Sequence, residues 1–143
     1  METPMTSGPV ARSITFWLIA GTALAWNLLG VFMFLLRVTM SATQVARLSP
    51  EDQAMHAATP GWVLSAFGVA VVAGVAGSVG LLMRRSWAVP AFGVSLAALL
   101  LQVAGTFTVT PAWQAYGPPG LVMPAVLVLV AALLLRYARR TAA

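Results

Sequence analysis

The chain has no cysteine, no lysine, one histidine and three carboxylates in 143 residues, and each scarcity closes off a kind of chemistry. Without cysteine there is no disulfide, thiolate nucleophile, cysteine-ligated metal site or haem-attachment motif. The lone His56, beside Glu51 and Asp52, falls short of the three or four converging ligands a metal site needs, and it reads as a solvated loop residue. No serine stands in a G-x-S-x-G context, and no glycine loop leads to a lysine that could cradle a phosphate. The expectation is therefore a protein that is not an enzyme and has no cofactor. Charge of either sign is scarce: 8% of residues, against about 25% in an ordinary soluble domain. With 60% hydrophobic residues, the chain cannot clothe a globular surface in polar groups, so lipid must solvate much of it. The net charge of +5 does not point to nucleic acid, because the arginines sit at the ends of apolar runs and not in a basic patch interleaved with aromatics.

What is present is four uncharged runs, at about 13–36, 60–83, 87–108 and 119–135. The second, Pro60 to Met83, is about 36 Å long as a helix at roughly 1.5 Å per residue, enough to cross a hydrocarbon core of about 30 Å. Small residues run along it in two rows, Ala66, Ala70, Gly74, Ser78 and Ala73, Gly77, Gly80. Lipid tails give no hydrophobic push between helices, so membrane helices associate where small residues let backbones approach. This span is expected to be the central packing helix of a small bundle. The first run imitates a secretory signal with Arg12 and Ala23-Leu24-Ala25, but its apolar stretch continues to Leu36 and reads as an uncleaved span.

Between the first two runs, Ser49-Pro50-Glu51-Asp52 is a helix start: Ser49 caps, Pro50 takes the first position and the acids face the N-terminal dipole. A short surface helix over about 50–57 follows, and Thr59-Pro60 repeats the signal to open the second span. Residues 84–86 form a tight hairpin turn, 109–117 an uncharged loop, and Met1–Arg12 a loose leader. Pro124 is expected to kink the fourth run or delay its start. Placing both termini and the 84–86 turn on one side collects Arg12, Arg84, Arg85, Arg136, Arg139 and Arg140, against Arg37 and Arg47 on the other. The positive-inside rule then puts both termini in the cytoplasm.

No ionisable side chain lies within the runs so drawn, which argues against a proton-coupled carrier or a pump. The intramembrane polar candidates are Asn27, Ser78, Ser95, Gln102 and Thr106. Asn27 shares a face with Ala20, Ala23 and Gly30, and reads first as an interhelical hydrogen bond, worth about 0.6 kcal/mol. A solute-contacting or gating amide is the alternative. Ser95, Gln102 and Thr106 share one face of the third span, from which Gln102 could reach Asn27 or Ser78. The fourth span has no polar side chain between Leu121 and Leu135 and is expected to be peripheral and lipid-facing. Arg37 closes the first span and is expected to snorkel to headgroups.

Several of these residues also carry a family resemblance. Trp26-Asn27-Leu-Leu-Gly30, Ser49-Pro50-Glu51, Pro60-Gly61-Trp62, Gly77 with Leu81-Leu82, Arg84-Arg85-Ser86-Trp87-Ala88-Val89 and Ser95 resemble a group of small bacterial four-span inner-membrane proteins with a W-N-x-x-G first span, often labelled "sugar transporter". The resemblance covers about half the chain. It implies the four-span architecture and a bacterial inner-membrane location. The family pattern continues from the glycine to an Asp-Tyr pair where this sequence has Met33-Phe34, so any chemistry resting on that carboxylate is missing here.

The combined expectation is an all-α, integral-membrane four-helix bundle in a single domain (1–143), with both termini cytoplasmic. It would be held by Ala66, Ala70, Gly74 and Gly77 and would act by helix–helix association, as a homo-oligomer or with a membrane-protein partner. The alternatives are an oligomeric facilitator of a small neutral solute passing Asn27 and Gln102, and lipid or quinone binding between helices.

Overall fold

The computed structural model describes residues 9–142, with side chains over 14–141. Its described secondary structure is entirely helical: α1 (Pro9–Val38), α2 (Ala42–Ala46), α3 (Pro50–Ala58), α4 (Gly61–Leu82), α5 (Ala88–Val109), α6 (Ala112–Tyr116), a 3-10 turn (Pro118–Leu121) and α7 (Val122–Ala142). Four stretches, Ile14–Val38, Gly61–Leu82, Ala88–Val109 and Pro118–Thr141, are long and apolar enough to cross a membrane. The chain is a multi-pass membrane protein.

Boundaries follow local chemistry. The Ser49 hydroxyl accepts from the Asp52 backbone N–H at 3.2 Å, with Pro50 in the first turn of α3. Ser41 and Gln44 form a reciprocal capping box on α2, satisfying two of the donors a helix start leaves free. Thr59 does not repeat the Ser49 cap. Its hydroxyl donates back to the Met55 carbonyl at 2.6 Å, and α4 starts from Pro60 without a side-chain cap. Helix α1 already runs from Pro9, inside the stretch expected to be loose, and residues 1–8 of that expectation lie outside the described part. The segment read as a loop over 109–117 contains α6, which ends on Gly117 at φ 62°. Pro118 and Pro119 open a 3-10 turn, so α7 begins late, at Val122, with Pro124 in its first turn, where the missing N–H costs nothing. From there the helix continues past Arg136 to Ala142.

Helix α4 is the centre, with α1 on one side and α5 on the other, while α7 packs on α5. A buried hydrophobic cluster joins all four spans at the end carrying the α4–α5 turn: Phe16 and Ala20 of α1, Leu81, Ala88, Phe92, and Ala138 of α7. The fourth helix is therefore not wholly peripheral. Val122, Met123, Leu129 and Leu133 are exposed, yet Ala138 is buried and Tyr137 stacks tilted on Phe16 at 6.4 Å between ring centroids. At the same end, Arg84 closes α4 in the left-handed conformation (φ 55°), the Arg85 N–H bonds the Gly80 carbonyl at 2.8 Å, and the Arg84 guanidinium lies 4.9 Å from the centre of the Phe16 ring. The opposite end holds Arg37, the acidic α3 and α6. The Arg12 side chain lies outside those described.

Candidate functional site

The polar seam expected inside the bundle exists in separate pieces. The Asn27 amide donates to the Ala23 carbonyl at 2.8 Å and to the Ser78 hydroxyl at 3.2 Å, tying α1 to α4. Ser78, fully buried, donates in turn to the Gly74 carbonyl at 2.8 Å. A Cβ on Gly74 would overlap Asn27 Oδ1. The Gly74 Cα–H thus faces that oxygen, a weak contact that recurs where helices approach closely. Ser95 is buried and donates to the Ala70 carbonyl at 2.6 Å, tying α5 to α4.

Gln102 joins neither pair. Its amide reaches only Thr106 Oγ1, at 3.4 Å, while Thr106 donates to the Gln102 carbonyl at 2.8 Å. The bridge from Gln102 to Asn27 or Ser78 does not form. Thr106 lies one turn along the same helix, and a hydroxyl three or four residues from a helix carbonyl bonds its own helix first. Each polar candidate is occupied by a neighbouring protein group.

The small residues are equally occupied. Ala66, Ala70, Gly74 and Gly77 are buried. A Cβ on Gly77 would meet the Phe92 ring at 2.8 Å, and one on Gly68 would meet Phe34 at 2.9 Å. Ala73 departs from its expected row and lines an open groove of about 520 Å³ with Phe34, Ser65, Gly68, Val69 and Val72. Two tryptophans, though about half exposed, also lie against glycines: the Trp87 indole covers Gly80, and Trp62 lies over Gly105. Aromatic-to-glycine pairing of this kind has no sequence period.

The end opposite the arginine-rich one carries a second polar group that sequence reasoning missed. Arg37 is half-buried and donates from Nη2 to Thr59 Oγ1 at 3.2 Å, where free snorkelling was expected. The Tyr116 hydroxyl of α6 donates to Asp52 Oδ1 of α3. That hydrogen bond, with smaller contributions from burial and nearby carboxylate charge, pushes the Tyr116 phenol up to about 12. His56, expected to be solvated, is half-buried, and its Nδ1 is shut from solvent without a partner. Among the described residues no three His, Asp or Glu side chains converge as metal ligands. No protein-family model, curated protein or solved structure matches this chain.

Proposed function

We propose that this protein is a non-catalytic membrane component that acts by association of its helices with a second copy or another membrane protein, with both termini cytoplasmic in a bacterial inner membrane. The observation that carries the reading is the self-sufficiency of the polar seam. Asn27 spends its amide on Ala23 and Ser78, Ser95 on Ala70, and Gln102 on Thr106. A neutral solute passing through one chain would need those groups turned toward a path. What is left for function is the surface, where α1 offers Leu28, Leu29, Phe32 and Leu36 and α7 offers Val122, Val126, Leu129 and Leu133.

The orientation rests on Arg84, Arg85, Arg139 and Arg140 collecting at one end, with Arg37 beside Asp52 at the other. The chain has no cysteine, so single cysteines on these faces give a clean crosslinking scan in native membranes. A defined adduct from α1 or α7 positions supports the proposal. A uniformly monomeric protein that carries a neutral solute into proteoliposomes, and loses that activity in Asn27→Leu, overturns it in favour of the facilitator.

A further inference from the structure

The groove beside α4 has as one wall the α1 turn that precedes Arg37, which is half-buried. Ser65, Gly68, Val69, Val72 and Ala73 form its floor, and Phe34 of α1 forms one wall. Arg37 follows Phe34 by one helical turn, and Thr59, which holds Arg37, stands six residues before Ser65. At roughly 1.5 Å per residue, the Arg37 backbone lies about 5 Å beyond that of Phe34 along α1, and the groove continues for about 12 Å from Ser65 to Ala73 along α4. A guanidinium has five N–H donors. Among the described residues, Arg37 uses one, on Thr59. Asp52 lies within electrostatic range of Arg37, and Glu51 of Tyr116.

That pairing of charges is selective. A simple anion drawn to Arg37 meets Asp52, whose Oδ1 already accepts from Tyr116, and a simple cation drawn to Asp52 meets Arg37. A zwitterion with a phosphate and an ammonium one ethylene unit apart satisfies both, and an attached acyl chain fits the apolar groove below. We propose that this groove holds one glycerophospholipid bearing a primary-ammonium headgroup, its phosphate on Arg37, its ammonium on the carboxylates of Asp52 and Glu51, and an acyl chain between Phe34 and Val72. The primary ammonium donates hydrogen bonds to those carboxylates; a trimethylated one cannot. The Arg37 donors remain unpaired unless such a phosphate or water meets them, and a phosphate takes two in parallel.

The test uses the whole chain in nanodiscs of equal phosphatidylethanolamine, phosphatidylcholine and phosphatidylglycerol, extracted into mild detergent for native mass spectrometry. The expected result is one phosphatidylethanolamine retained per chain, about tenfold over the other two, the scale of one charge-assisted hydrogen bond. Arg37→Gln should abolish the preference, and Asp52→Asn should shift it toward phosphatidylglycerol. Ser65→Leu fills the top of the groove from an exposed position and should lower retention with the bundle intact, which keeps the test decisive if Arg37→Gln misfolds. Equal retention of all three lipids, or retention untouched by Ser65→Leu, overturns the proposal. So does a disulfide between two copies through Val69→Cys, which would seat a helix where the acyl chain belongs.

Discussion

Gly74→Ala puts the central packing argument at risk in a single methyl group. The new Cβ would occupy the place of Asn27 Oδ1, and Asn27 cannot retreat without giving up its bonds to Ala23 and Ser78. Overpacking of this kind costs about 1–3 kcal/mol, against which alanine's better helix propensity returns roughly 0.5–1 kcal/mol. The net loss should be about 1–2 kcal/mol. Asn27→Ala removes the obstruction along with an interhelical bond worth about 0.6 kcal/mol. In that background Gly74→Ala should turn neutral or stabilising, so the double-mutant cycle should show a coupling of at least about 1 kcal/mol. Unfolding free energies from steric trapping in bicelles would measure all four corners. Gly93→Ala is the control, since its Cβ meets nothing within 4 Å. Additive effects, or a Gly93→Ala cost equal to that of Gly74→Ala, would refute the claim that the amide seats in the glycine notch.

Two further outcomes are expected. With Tyr137→Phe as background, Tyr116 is the sole phenol, and its ultraviolet titration should centre near 12 where the ordinary value is 10.0. The raised folded value means the Asp52–Tyr116 link contributes stability below pH 10 that is lost as pH climbs through 12. Asp52→Asn should bring the midpoint back toward the ordinary value, and a midpoint that stays put would exclude the bond. At the other end, Arg84 holds φ 55°, a conformation that costs an L-residue about 1–2 kcal/mol. Arg84→Gly and Arg84→Ala both remove the cation from Phe16, so the glycine variant should be the more stable by about 1 kcal/mol; equal thermal unfolding of the two would show that the turn relaxes.

The elements legible in the sequence were those set by single-chain rules. Four apolar runs bounded by arginine give four long helices, and Ser49 with Pro50 gives the start of α3, because bilayer thickness and capping act locally. Thr59 misled for the same reason: its cap signal is sound by itself, but the hydroxyl bonds Met55 and receives Arg37 instead. The site was half legible. The helical phase of Asn27 and Ser78 puts each on a small-residue face, and the two do meet. Gln102 shares a face with Ser95 by spacing, but spacing does not report which neighbour that face addresses. Tyr116 and Asp52 stand 64 residues apart, and their meeting depends on how α6 and α3 are carried by four packed helices.

The placement of glycine explains why α4 holds its two neighbours, α1 and α5, so closely. Gly74 and Gly77 are three residues apart, so they point about 60° away from each other around the helix axis. One receives Asn27 from α1 and the other Phe92 from α5. A helix notched on two faces can admit two close neighbours. Helix α1 has Gly30, where a Cβ would meet Val71, and Gly21, where nothing approaches. Helix α7 has no glycine at all between Val122 and Ala142, and it holds α5 through bulkier side chains until Ala138 lets it close on the others. The close α1–α4 and α4–α5 contacts thus follow from where the α4 backbone can be approached. The glycines that would have made α4 an association surface are used inside the chain, which leaves the broad flanks of α1 and α7 to meet whatever the protein binds.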